Sequence, residues 1–324
     1  MTNAKLPYRK PWLPIADQVQ KLRDRGLVIA DAAEAERILR YANYYRFTGF
    51  CLRFQYFDKN INDRRFISGT TLEDIVSLSA FDARLRDCYS EALEMVELSL
   101  RSAIAFHFGK AHGAFGHLDP ANFVKSFSRP IPCKGNRSRI VNPYKEWRNA
   151  LHEETRRSNE LFVTHFRKTY AEYPDLPIWM VSELCSFGTL SRMFSHLRNV
   201  EQGMVARDYG LQFVTMQSWL HTMTYVRNIC AHHARLWDKM LNIAPQIPDG
   251  KNWMKSTVPQ RSVAFVALML NWMLAHDSVD PAAHKKWRTK VEEAVDAFID
   301  RHPCLVVHTG FTADWKKNPL WWQV

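Results

Sequence analysis

Glycine is scarce in this chain, 12 residues in 324, and it nowhere gathers into a Walker-type or dinucleotide-type phosphate loop. That absence argues against nucleotide hydrolysis. Cysteine is scarce as well. The six residues, Cys51, Cys88, Cys133, Cys185, Cys230 and Cys304, lie far apart and form no Cys-x-x-Cys pair. Scattered thiols in a chain of this length read as free thiols in a reducing compartment. Apolar runs are short. The longest, Val263 to Ala275, is interrupted by Asn271, falls short of a bilayer span and reads as a buried helix. The stretch Met1-Thr2-Asn3-Ala4-Lys5-Leu6-Pro7 has no apolar secretory segment, so a cytoplasmic location without membrane attachment is expected. Strand-like alternation is nearly missing, with Phe50 to Phe57 the one candidate. Acid is the last shortage: 33 Asp and Glu stand against 44 Lys and Arg, a net charge of +11. Such a surplus favours a polyanionic partner, whether RNA, DNA or an acidic membrane surface, without choosing among them.

What the chain has is core. Hydrophobic residues make up 46% and aromatics 13%, which excludes a disordered chain and allows one large domain or two small ones. Thr71-Leu72-Glu73-Asp74 fits a capping box. After it Ile75, Leu78, Leu85, Tyr89, Leu93, Val96, Leu100 and Ile104 recur at steps of three, four or seven, one face of a long helix that Gly109, Gly113 and Gly116 end. Further helical stretches cover Tyr144 to Tyr170, Ile178 to Leu197, Phe213 to Leu241, Val263 to Ala275 and His284 to Ile299, and two short ones Ile15 to Arg25 and Ala33 to Ala42. The expectation is a single all-α domain, with residues 1–70 a helical extension and 71–324 the bundle. Ser128 to Asn142 carries Arg129, Lys134, Arg137 and Arg139 with two prolines, a glycine and no acid. It should be an exposed loop, either a phosphate-binding one or a solvated connection.

The chemistry concentrates between Tyr225 and Leu241, where Arg227, His232, His233 and Arg235 crowd into nine residues. Imidazole exchanges protons near neutral pH, and guanidinium is a permanent planar fork for phosphate oxygens. Together they suffice for RNA cleavage by internal transfer, with no metal and no cofactor. On an ideal helix, residues five apart are separated by roughly 140°. Arg227 and His232 then do not share a face, whereas Asn228 and His232 do. Either the helix begins or breaks inside the motif, or a second copy of the chain completes the site, as a symmetric homodimer would. His233 either binds RNA or supports His232, or it packs against Trp237. A second Arg–His string, Arg101 to His107, lies inside the long helix, and Arg101 reads as structural or RNA-facing. His107, His112 and His117 recur every five residues but lack paired zinc spacing. Trp315, Trp321 and Trp322 either stack on bases or staple the C-terminal segment to the core. Tyr44, Tyr45 and Arg46 pose the same choice.

The string Arg227-Asn228-Ile229-Cys230-Ala231-His232-His233-Ala234-Arg235-Leu236-Trp237 resembles the signature of the Abi-like proteins of bacterial abortive infection, of the AbiD and AbiF type, within the HEPN superfamily. Tyr44 to Phe50, Leu176 to Met180 with Glu183 and Phe187 to Leu190, and Gly310-Phe311 with Trp315 and Trp321 are similar to other stretches of that family. The resemblance implies an all-α HEPN-type bundle and a metal-independent endoribonuclease that acts in phage defence or as a toxin. It implies that Arg227 stabilises the scissile phosphate, that His232 is the general acid or base and that Asn228 orients the site. RNA and a second copy of the chain are the implied partners, with an antitoxin or small regulatory RNA a further one. The competing expectation is a non-catalytic RNA-binding module, or a partner protein regulated by an RNA antitoxin.

Overall fold

Helix dominates the structure, as the three- and four-residue periodicity predicts. The computed structural model describes residues 11–58, 63–133, 136–276 and 280–322, and the side chains of 136–139 lie outside that description. The chain divides into two compact units, Met1–Arg84 and Leu85–Val324.

The first unit holds α1 (Ile15–Asp24), α2 (Ala32–Ala42) and α3 (Tyr44–Cys51), followed by an antiparallel hairpin of β1 (Gln55–Asp58) and β2 (Asp63–Phe66). The Asp31 carboxylate caps α2, accepting from the amides of Ala33 and Glu34 at 2.8 and 3.2 Å. Asn43, at φ 62, turns α2 into α3 and accepts from the Tyr45 amide at 2.9 Å. Asparagine tolerates that left-handed backbone better than most residues. The expected strand from Phe50 to Phe57 starts only at Gln55. Phe47, Phe50 and Cys51 are buried together on one face of α3, a helical spacing that overrides the alternation. Tyr44 is half-buried in this unit, while Tyr45 and Arg46 are exposed.

The long helix α4 (Leu72–His112) starts on the expected box. The Asp74 amide donates to Thr71 Oγ1 at 3.2 Å, and the Thr71 amide donates to Asp74 Oδ2 at 3.0 Å. Its predicted apolar positions, Ile75 to Ile104, are all buried. Gly113, at φ 74, ends it and donates its amide to the Gly109 carbonyl at 2.8 Å.

The second unit adds α5 (Pro143–Arg157), α6 (Leu161–Thr169), α7 (Ile178–Leu184), α8 (Phe187–His196) and α9 (Asn199–Asp208). It continues with α10 (Phe213–Ala231), α11 (Lys251–Met254), α12 (Val263–His276), α13 (Pro281–Arg301) and α14 (Pro319–Trp322). Two predicted stretches are helix pairs: one breaks after Arg157, the other at Ser186, whose hydroxyl accepts from the Thr189 amide at 3.2 Å and restarts the helix. The apolar helix α12 is the spine of the core. Tyr89 donates its hydroxyl to the Val263 carbonyl at 2.6 Å, and the Trp287 indole donates to the Cys88 carbonyl at 2.8 Å. Asn271, the polar break in the apolar run, is fully buried. Its amide donates to the carbonyls of Leu320 and Trp321 at 3.1 and 3.2 Å, which fixes α14. Trp315 and Trp321 are buried with it, so the tryptophans near the C-terminus staple that segment to the core, and only Trp322 is largely exposed.

Ser128 to Asn142 is not simply a loop. It contains an antiparallel hairpin of β3 (Ile131–Cys133) and β4 (Asn136–Val141). Ile131 and Ile140 are exposed, so no buried alternation announced it. Among the described residues no helix is long and apolar enough to cross a membrane.

Candidate functional site

The helix carrying the motif stops inside it. α10 ends at Ala231, and His232 is its C-cap with φ −92 and ψ 11. The chain then reverses through His233, whose φ of 52 is left-handed. The His233 amide donates to the Cys230 carbonyl at 3.0 Å, and the Ala234 amide to the Ile229 carbonyl at 2.9 Å. That pair of bonds is a Schellman closure, which usually places glycine where His233 stands. Leu236 and Trp237, both fully buried, anchor the chain as it leaves. Arg227, Asn228, Ala231, His232 and His233 are all exposed, so the end of α10 presents the motif to solvent. Of the two outcomes that the five-residue spacing allows, a break in the helix is therefore present.

Arg227 and Ala231 form one wall of a cleft of about 380 Å³, and α4 forms the other with Glu94, Glu97 and Arg101. Arg101 is held in place. It donates to Glu97 Oε1 at 2.6 Å and to the Cys185 carbonyl at 3.0 Å, and lies 3.7 Å from Glu183 Oε2. Its charge is thereby largely answered inside the chain. Arg227 differs: among the described residues nothing in the chain pairs with its guanidinium. The structure thus brings Arg227 and Arg101 to one cleft, one arginine engaged and the other available. Sequence reasoning missed Glu94 and Glu97 as parts of this cleft. The signal was the i,i+4 spacing of Glu97 to Arg101 on the α4 surface.

Other predicted residues lie elsewhere. Arg235 is paired with Asp238 at 3.0 Å. Arg129 is exposed at the entry to β3, and Arg46 is exposed on α3. Lys134 lies outside the described residues, as do the side chains of Arg137 and Arg139. His107 does not meet Arg101. Six residues on, it faces α9 and sits 2.7 Å from Asp208 Oδ2. His112 likewise lies 2.9 Å from Glu201 Oε1. His117 is buried, and burial together with the nearby Arg148 guanidinium pushes its pKa down to about 4. Each of the three five-spaced histidines therefore has its own surroundings, and among the described residues no three His, Cys, Asp or Glu side chains group as a metal site requires.

A family model described as Abi-like protein matches residues 37–238. The matched range takes in α3, α4, both walls of the cleft and the whole motif to Asp238, and it leaves out the stretch with Gly310, Trp315 and Trp321. No curated protein and no solved structure matches the chain.

Proposed function

The chain belongs to the Abi-like protein family, and from that premise we propose that it is a metal-independent endoribonuclease of the HEPN type that serves phage defence or acts as a toxin. One observation carries the reading: α10 ends within the motif, and Arg227, Asn228 and His232 are all exposed at that end, with Arg227 unpaired among the described residues. In the proposed reaction His232 takes the proton from a 2′-hydroxyl. The 2′-oxygen then bonds to phosphorus while the bond from phosphorus to the 5′-oxygen breaks, and an imidazolium returns a proton to that leaving oxygen. Arg227 neutralises the charge that builds on the non-bridging oxygens, and Asn228 orients the ribose or the phosphate. The products are a 2′,3′-cyclic phosphate and a 5′-hydroxyl.

The experiment is direct. Purified protein is incubated with RNA in excess chelator, and new ends are mapped. His232→Ala and Arg227→Ala each lose about two to four orders of magnitude in rate. A His232→Ala protein that cleaves at the parent rate ends the proposal. If that variant also binds RNA and acts in cells as the parent does, the protein is an RNA-binding module.

A further inference from the structure

A second cleft lies along the same helix. Of about 530 Å³, it runs between α8 and α10 and is lined by Arg192, Ser191, Gln217, Ser218, His221 and Gln246 among others, with no carboxylate. The two helices lie near each other there: a Cβ at Gly188 would sit in ordinary contact with Thr224 Cγ2 at 3.4 Å. Gln217, His221, Thr224 and Asn228 follow at steps of four, three and four, so the cleft and the motif occupy one stripe of α10. His232 continues that stripe as the helix ends. From His221 to His232 the axis advances by about 16 Å, a few nucleotides of extended strand.

We infer that this groove holds the single-stranded RNA adjoining the phosphate to be cleaved, a reading that rests on the nuclease proposal for Arg227 and His232. The charges decide which side of α10 the strand follows. The Arg227 cleft is faced by the exposed Glu94, which repels a phosphate backbone beyond the single one that Arg227 answers, while Glu97 there is already paired with Arg101. The α8–α10 groove offers the reverse. Arg192 is exposed at its rim, oriented by one hydrogen bond to the Pro143 carbonyl at 3.2 Å that leaves other donors of its fork for phosphate. Gln217 and His221 are exposed on its wall, and the hydroxyls of Ser191 and Ser218 lie between. Amides and hydroxyls hydrogen-bond the Watson–Crick edges of unpaired nucleotides, which base pairing occupies in a duplex. The RNA therefore lies along α8 and α10 and crosses Asn228 to bring one phosphate to His232 at the helix end.

The test uses full-length protein carrying His232→Ala, so that the strand stays whole, and a short labelled single-stranded RNA of mixed sequence. His221→Glu and Gln217→Glu, both at exposed positions, weaken binding by about tenfold or more, and the salt slope falls by about 0.7 for every phosphate the protein no longer holds. Lys286→Glu, exposed on α13, removes more positive charge than either and leaves affinity unchanged. Equal weakening by all three variants means that overall charge holds the RNA, and the groove proposal fails. It fails equally if neither groove variant binds more weakly, and loss of self-association alone would assign the groove to a second copy of the chain. Cleavage by the His232→Ala protein, assayed separately, sinks the nuclease reading and is told apart from these outcomes, because the affinities are compared within one background.

Discussion

His233 holds a backbone conformation that its side chain opposes. Left-handed φ costs a residue with a Cβ about 1–2 kcal/mol, and glycine would occupy the same place without that cost. Strain of this kind is kept where the side chain has work to do, or where the fold around it leaves no choice. His233→Gly separates the two. The expected outcome is a melting temperature equal to or above that of the parent together with slower RNA cleavage, read by thermal unfolding and by product formation on one preparation. A stable variant with parental cleavage would leave His233 without a part in the reaction. His117 supplies the acid side of stability. It is neutral in the folded chain, with a pKa pushed down to about 4, whereas the unfolded chain binds its proton near 6.5. Between those values the unfolded state holds more protons, so stability falls as the pH drops through that window, by up to about 3 kcal/mol for this residue. Burial pushes His196 and His284 in the same direction. Urea unfolding of the parent at pH 7 and pH 4.5 shows the loss, and His117→Gln reduces the difference between the two. An equal pH dependence in that variant would remove His117 from the account.

Elements were legible where one principle governed and illegible where two competed. α4 was readable in full, because a capping box, an unbroken apolar face and a terminal glycine all gave the same answer. α10 read ten residues too long. Leu236, Trp237 and Leu241 are buried and keep a helical spacing, but they pack as an irregular segment beyond a turn whose left-handed residue is a histidine. Without a glycine at that turn, the sequence carried no stop. The same gap hid the exposed end of the helix, so the residues of the candidate site were legible and their setting was not. The cleft opposite Arg227 was hidden for another reason: Glu94 and Glu97 come from a helix more than a hundred residues away in sequence. Gly310 shows the opposite case, a turn whose glycine is needed twice. Its φ is 84, and a Cβ there would overlap the Ser262 side chain just ahead of α12. Gly310→Ala should lower unfolding free energy by about 3 kcal/mol, from the left-handed backbone and the overlap together. Adding Ser262→Gly should return the packing share and leave the backbone share. No change in the denaturant midpoint of Gly310→Ala would contradict both contributions.

At the scale of the whole molecule, the net charge of +11 says that a polyanion is welcome and leaves open where it lies. The candidate site sharpens this into a question of stoichiometry. Arg227 turns toward α4, His232 stands past the end of the helix, and about 140° of helix rotation lies between their positions. If one phosphate needs both, the arginine of one protomer and the histidine of another can meet across a two-fold axis more readily than the pair within one chain. The proposal then has a consequence that no single-chain site shares. Arg227→Ala and His232→Ala proteins are each inactive alone. Mixed and allowed to exchange protomers, half of the dimers carry one variant of each kind, and each such dimer rebuilds one complete site from the His232 of the first chain and the Arg227 of the second. Activity returns to about a quarter of the parent level, and it rises with the time allowed for exchange. A mixture that stays inactive while mixed dimers are seen by native mass spectrometry places Arg227 and His232 of the same chain on one phosphate. Full activity in a parent held monomeric does the same, and rotation of the His232 side chain at its C-cap position must then bring the imidazole round to Arg227.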